Sequence, residues 1–116
     1  MIEFTLPWPP TVNNYYTVAR GRKILSKNGR AFKESSVWYI PHLANSLKGE
    51  ISVEIQANMP DKRKRDLDNL LKPILDVITA RGVFEDDSQI ADLRIYKSNF
   101  SEKGTVFITV KKIGKC

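Results

Sequence analysis

Apolar and polar residues alternate along several stretches of the chain, and such alternation is typical of a strand with one buried face. It begins at residues 2–6 and is clearest at 51–58, where every second residue is apolar. Two further strands are predicted at 90–97 and 105–112, joined through residues 101–104. Pro7-Trp8-Pro9-Pro10 should end the first strand, because proline has no N–H to donate to a sheet ladder.

Two longer segments have the apolar spacing of helices. The first runs from near Ala31 to Leu47, where we expect Pro41 to kink or divide the helix and Lys48-Gly49 to end it. Its predicted apolar stripe comprises Phe32, Val37 or Trp38, Ile40, and Leu43 or Ala44.

The second helix is predicted within residues 67–80, and Gly82 should end it. Pro73 constrains where this helix begins. If Asn69 is the N-cap, Pro73 forfeits only the first intrahelical hydrogen bond, whereas an earlier start would imply a kink.

The segment between the first strand and the first helix predicts a hairpin. Tyr15–Ala19 and Lys23–Ser26 flank Arg20-Gly21-Arg22, which would carry positive charge at the tip, and Lys27-Asn28-Gly29-Arg30 is interpreted as a second turn. The order of elements predicts one α+β domain over residues 1–116, a small mixed sheet with two main helices packed on one face.

The composition favours an anionic partner. Nineteen Lys and Arg residues against thirteen Asp and Glu residues give a formal net charge of +6. Nucleic acid is the preferred partner ahead of a membrane, and a solvated basic surface is the alternative.

Without an apolar run of membrane-spanning length or a signal peptide, we expect a cytoplasmic protein. The lone Cys116 and the single His42 match no zinc-site spacing, and we interpret His42 as a structural or surface residue.

The candidate chemistry lies where the strand at 51–58 leads towards the second helix. Four basic residues, 62–65, run directly into Asp66-x-Asp68. In an extended segment the two carboxylates would point to one side and repel each other unless a cation intervenes. Oxygen ligands alone suit Mg²⁺ or Mn²⁺ rather than zinc. Acidic residues near a helix N-terminus also stabilise the helix dipole without any catalysis, which is the alternative interpretation.

Two further features extend this candidate site. The acidic cluster Glu85-Asp86-Asp87 follows the second helix and would supply a third carboxylate if the helix packs back on the sheet. Lys72 shares a helix face with Asp68 and Asp76, four residues to either side, and could stabilise charge on a scissile phosphate. The alternatives are an exposed helix ion pair and, for the basic run, a solvated surface loop.

In order and spacing these motifs resemble the RusA family of Holliday junction resolvases along almost the whole chain. The features that carry the resemblance are Leu6-Pro7-Trp8-Pro9-Pro10 with Asn13, Tyr15 and Tyr16; Met59-Pro60-Asp61 with its basic run; Asp66-Leu67-Asp68-Asn69 with Lys72 and Asp76; and Asp86-Asp87 before a strand with Asp92 and Lys97.

The resemblance implies a metal-dependent endonuclease that acts on four-way DNA. Asp66, Asp68 and Asp87 would bind Mg²⁺, with Mn²⁺ as a substitute, and Lys72 would support catalysis. The family fold implies a homodimer with both active sites on one basic face and paired nicks across the junction. The predicted DNA-binding residues are Lys62, Arg63, Lys64, Arg65, Arg20, Arg22 and Lys23.

Two other functions remain open from the sequence: a non-catalytic nucleic-acid-binding module and a metal nuclease for flaps or single strands. For the dimer interface we expect the Val37–Leu47 region together with the Pro-Trp-Pro-Pro corner, because both are rich in large apolar groups. The alternative is that these residues fill the core of the monomer. We interpret Trp8 as part of a packed corner rather than as a DNA-stacking residue.

Overall fold

The computed structural model of the chain describes residues 1–114, so Cys116 lies outside the described residues. Its strands are β1 (Ile2–Pro7), β2 (Tyr16–Ala19), β3 (Arg22–Leu25), β4 (Ile51–Met59), β5 (Ile90–Phe100) and β6 (Thr105–Lys112). Its helices are α1 (Val12–Tyr15), α2 (Lys27–Ser36) and α3 (Asp68–Arg81), and a 3₁₀ turn covers Asp87–Gln89.

The main sheet has four strands in the order β1-β6-β4-β5. The central strand β4 pairs antiparallel with β6 and parallel with β5, and α3 forms the crossover that parallel neighbours need. Although β5 and β6 follow each other in the chain, β4 lies between them. The segment 101–104 therefore crosses the C-terminal end of β4, where the Ser101 N–H donates to the Met59 carbonyl oxygen at 2.9 Å.

One face of this sheet is buried under the helices. On β4 the odd-numbered residues from Ile51 to Met59 are buried, whereas the even-numbered residues are intermediate or exposed. The side chains that α3 buries are Leu70, Pro73, Ile74, Val77 and Ile78. The predicted α+β class, with a mixed sheet and helices packed on it, is confirmed. The hairpin of β2 and β3 is confirmed as well, with Arg20 and Gly21 at its turn.

The first predicted helix is wrong at both ends. Residues 27–30 form the first turn of α2 instead of a separate turn, because the Ser26 hydroxyl caps the helix by accepting the Gly29 N–H at 2.9 Å. The helix ends at Ser36, far before Leu47. Proline disfavours helical angles in the residue before it, so Pro41 prevents the helix from continuing through Ile40. Ile40 is buried without being helical.

The second predicted helix is confirmed, but Asn69 is not its N-cap. Helix α3 begins at Asp68 after Leu67, which provides no side-chain cap, so Pro73 lies inside the helix. The Asn69 carbonyl oxygen consequently lacks its usual i+4 donor. Gly82 ends the helix with a left-handed φ of 86°, as predicted. Among residues 1–114, no helix is long and apolar enough to cross a membrane.

Gly104, in the segment that crosses the end of β4, has no room for a side chain, so its replacement should lower the stability of the fold. A Cβ atom on Gly104 would lie 2.9 Å from Cε3 of Trp8 and 3.0 Å from side-chain atoms of Pro60, at a φ of +73°. Gly21 has nearly the same φ, +74°, with nothing within 4 Å of the position of its Cβ. We expect Gly104→Ala to lower the free energy of unfolding by about 3 kcal/mol and the control Gly21→Ala by only about 1 kcal/mol. Equal losses in urea unfolding would contradict the proposed close packing at Gly104.

Candidate active site

Lys72 and Asp87 face one hollow of about 220 Å³ between α3 and the 3₁₀ turn. Its other lining residues are Leu75, Asp76, Thr79 and Asp86. Lys72 is exposed on the helix face opposite the buried apolar residues, as its spacing predicts. The hollow thus brings an ammonium group and three carboxylates together from two elements that are separate in the chain.

The acidic side of the hollow is held by a capping box. The Asp86 carboxylate accepts the Ser88 N–H at 3.0 Å, while the Gln89 side-chain oxygen accepts the N–H of Asp86 at 3.1 Å. The amide of Gln89 donates to the carbonyl oxygens of Leu47 and Gly49, at 3.0 and 2.8 Å, which ties the turn to the segment before β4. Hydrogen bonds from the Ser88 side chain and backbone lower the pKa of Asp86, so its carboxylate is ionised at neutral pH.

Asp76, which was not among the predicted site residues, lines the hollow and links α3 to α1 and α2. Its carboxylate accepts a short hydrogen bond from the hydroxyl of buried Tyr15, and Lys33 Nζ lies 4.0 Å away. Burial, and then the hydrogen bond to Asp76, raise the pKa of the Tyr15 hydroxyl well above its ordinary value. The sequence signals for Asp76 were its helical spacing from Asp68 and Lys72 and its place in the motif that carries the family resemblance.

The other two predicted metal ligands lie at the start of α3. Asp68 is its first residue and is exposed, and Asp66 lines a separate hollow of about 400 Å³ together with Thr11, Lys64, Arg65, Asn69 and Leu70. Leu67 between them has helical angles, so the segment is not extended and the predicted alternation that would point both carboxylates to one side is wrong. Within residues 1–114, no group of three or more His, Cys, Asp or Glu side chains could hold a metal ion. The trio of Asp66, Asp68 and Asp87 therefore stays a prediction.

The four residues of the basic run are not equivalent. Arg63 and Arg65 both bind the Asp61 carboxylate, at 3.1 and 2.7 Å, and the Arg65 guanidinium lies 5.6 Å from the centre of the Trp8 ring. Only 20% of the Arg65 side chain is exposed. Lys62 and Lys64 are exposed, and Lys62 Nζ lies 5.8 Å from the centre of the Phe100 ring.

The hairpin carries the remaining predicted DNA-binding residues. Arg20, Arg22 and Lys23 are all exposed, and Lys23 Nζ lies 4.4 Å from the centre of the Tyr16 ring. Asp92 lines a different hollow, together with Ser52 and Arg94: it pairs with Ser52 in the sheet register and forms an ion pair with Arg94 at 3.4 Å.

The contact of Tyr15 with Asp76 predicts an alkaline dependence of stability. Because the pKa of Tyr15 is raised in the folded state, its stabilising contribution is complete below about pH 10 and is lost as the pH rises above it. Tyr15→Phe should lower the free energy of unfolding at neutral pH by about 2 kcal/mol, and the gap to the wild type should narrow above pH 10. Tyr96→Phe, which removes an exposed hydroxyl, is the control. A gap that is constant in urea titrations up to pH 11 would contradict this coupling.

Comparison with known proteins identifies the family. The family model described as endodeoxyribonuclease RusA matches residues 7–111. The chain is 38% identical over 114 residues to the crossover junction endodeoxyribonuclease RusA of Shigella sonnei strain Ss046, of Escherichia coli strain K12 and of Enterobacteria phage 82. Each match covers 97% of this chain and 95% of the relative. The chain therefore belongs to the RusA family of endodeoxyribonucleases, enzymes that hydrolyse phosphodiester bonds within DNA.

Proposed function

We propose that this chain resolves four-way DNA junctions by Mg²⁺-dependent, paired and symmetric nicks. The observation that carries the proposal is the hollow in which Lys72 meets Asp87. These two residues, from different elements, are half of the catalytic set that the sequence predicts. The names of the relatives, crossover junction endodeoxyribonucleases, support the choice of substrate.

The donor chemistry of the proposed metal ligands fits Mg²⁺. Asp66, Asp68 and Asp87 are exposed, and in residues 1–114 none of them forms an ion pair with a Lys or Arg side chain. Their oxygens are therefore accessible to a hard cation, and Mg²⁺ requires only one or two protein carboxylates when water and phosphate complete its shell. The chemistry that a bound Mg²⁺ supplies is polarisation of the phosphodiester and activation of water.

Lys72 would stabilise the negative charge that develops on the scissile phosphate. Its neighbour on the helix face, Asp76, does not neutralise it, because the Asp76 carboxylate is engaged by the Tyr15 hydroxyl and lies near Lys33. Asp86 serves as the cap of the 3₁₀ turn and so orients Asp87, the next residue, towards the same hollow.

DNA would be held through its backbone. The exposed Lys62 and Lys64 follow β4, and Arg20, Arg22 and Lys23 add positive charge on the hairpin. Such phosphate contacts give affinity and recognition of shape rather than recognition of base sequence. This mode of binding suits a substrate that is defined by its branching.

A homodimer would supply the two active sites that paired nicks require. Each chain contains one Asp-x-Asp motif, and a two-fold axis would place a second one symmetrically. For the interface we propose the region after α2, since Val37, Trp38 and Tyr39 are 39, 86 and 55% exposed. The Pro-Trp-Pro-Pro corner is a weaker candidate because Trp8 packs against Arg65 and close to Gly104.

Substitution of the aspartates tests the catalytic proposal. Asp66→Asn or Asp68→Asn should reduce the rate of junction cleavage by at least about 10³-fold, since each change removes a metal ligand. Binding of the junction in EDTA should be kept or strengthened, because a charge that repels phosphate is also removed. The rate should be measured under single-turnover conditions and the affinity by gel shift. Cleavage by either variant at the wild-type rate would show that the ligand assignment is wrong.

Sedimentation equilibrium tests the dimer. At micromolar concentration the protein should have twice the mass of the chain, and Trp38→Ala should weaken the association by about tenfold or more, as expected for a buried aromatic anchor. Val18→Ala, which also truncates an exposed apolar residue but on the hairpin, is the control. A monomer that cleaves junctions at the full rate would contradict the dimer, and a wild-type-like Trp38→Ala would contradict only the proposed interface.

A further inference from the structure

Within residues 1–114, Asp61 is the one acidic residue that contacts the basic run at several points. Its Oδ1 accepts the backbone N–H of Arg63 at 3.0 Å. Its Oδ2 accepts Nε of Arg63 at 3.2 Å and a terminal nitrogen of Arg65 at 2.7 Å. One carboxylate thus holds one backbone group and two guanidinium groups of the same short loop, and these hydrogen bonds lower its pKa to about 2.

Apart from the apolar contacts of Leu67 and Leu70, the described structure shows few hydrogen bonds that restrain the segment after this loop. Helix α3 begins without a side-chain cap, because Leu67 occupies the N-cap position. Its first backbone bonds are short-range ones, from the Asn69 N–H to the Asp66 carbonyl oxygen at 3.2 Å and from the Leu70 N–H to the Leu67 carbonyl oxygen at 3.0 Å. Arg65, which directly precedes Asp66, is fixed on one side by Asp61 and on the other by the Trp8 ring.

We propose that Asp61 is a positioning residue for the reaction: it braces Arg63 and Arg65 and thereby sets the direction in which Asp66 and Asp68 enter α3. This inference rests on the proposed function of those two aspartates. The side chain of Asp61 is partly covered and its carboxylate is engaged by arginines, so it acts through the loop and not on the substrate.

Electrostatics alone gives a different expectation for Asp61. If it were an ordinary surface charge in a DNA-binding loop, its removal would strengthen binding and leave the rate of cleavage unchanged. If it is a brace, its removal also frees two arginines for phosphate, so the affinity should again not fall. The rate of cleavage, however, should fall, because a misplacement of catalytic groups by about 1 Å can cost up to about 10²-fold.

The experiment compares Asp61→Asn and Asp61→Ala with Glu50→Gln. Glu50 is exposed and precedes β4, at the opposite end of that strand from Asp61, so its replacement makes the same change in charge far from the loop. Three quantities are measured: the single-turnover rate of junction cleavage, the Kd for the junction in EDTA, and hydrogen exchange of the amides of residues 63–70 in the metal-free protein. Melting temperatures identify any unfolded variant, and Asp61→Asn, which retains one acceptor oxygen, decides the question if Asp61→Ala does not fold.

For both Asp61 variants we expect a rate of cleavage lowered by about tenfold or more, a Kd no higher than that of the wild type, and faster amide exchange at residues 63–70. Glu50→Gln should match the wild type in all three. Cleavage at the wild-type rate, or unchanged exchange, would overturn the proposal. If the wild type cuts no junction, the proposed function itself fails, and the exchange measurement alone then decides whether Asp61 braces the loop.

Discussion

The packing of α3 against β4 is the interaction on which the rest of the structure depends. Leu70, Ile74 and Ile78 lie in the core, together with the buried residues of the central strand. Since residues four apart share a helix face, burying this side leaves Asp68, Lys72 and Asp76 on the other. The same helix carries the chain across to β5 and so returns Asp86 and Asp87 to the Lys72 face. One apolar stripe thereby determines where the polar chemistry lies.

The second constraint is the electrostatic repulsion between the carboxylates of the acidic residues. Asp76 is linked to Tyr15 and Lys33, Asp86 caps a turn, and Asp61 binds two arginines. These three carboxylates have structural partners, whereas Asp66, Asp68 and Asp87 have no Lys or Arg partner within residues 1–114. The division separates acids that hold the fold from acids that remain accessible to a cation. The accessible set contains the three aspartates that the sequence predicts as metal ligands.

Local sequence predicted those parts of the fold that local physics controls. Alternation located β4 and β6, and apolar spacing located α3 with its end at Gly82. The boundaries of α2 were wrong because a hydroxyl cap at Ser26 and the effect of Pro41 outweigh the apolar spacing beyond Ser36. The position of β4 between β5 and β6 was not predicted, since strand order depends on long-range packing.

The contrast between local sequence and long-range packing also applies to the candidate site. The residue types and their order were sufficient to predict the family, whereas the roles of the acidic motif and Lys72 stay predictions. The bond between Tyr15 and Asp76 joins residues 61 positions apart, so no spacing rule could have found it. The sequence also did not indicate the contacts of Asp61. A run of four basic residues suggests four equivalent phosphate contacts, but in the fold two of these residues bind the Asp61 carboxylate.

Selectivity for four-way junctions is the property that distinguishes the proposed function from other nuclease activities, and a panel of DNA substrates tests it. The wild-type protein is incubated with a synthetic four-way junction, a flap and a linear duplex of matched sequence, with and without Mg²⁺, and each strand is labelled in turn. We expect Mg²⁺-dependent nicks at symmetric positions in two opposed strands of the junction, with ligatable products and little cleavage of the other two substrates. Equal cleavage of the flap or the linear duplex, or nicks in the junction that need no divalent cation, would contradict the proposed function.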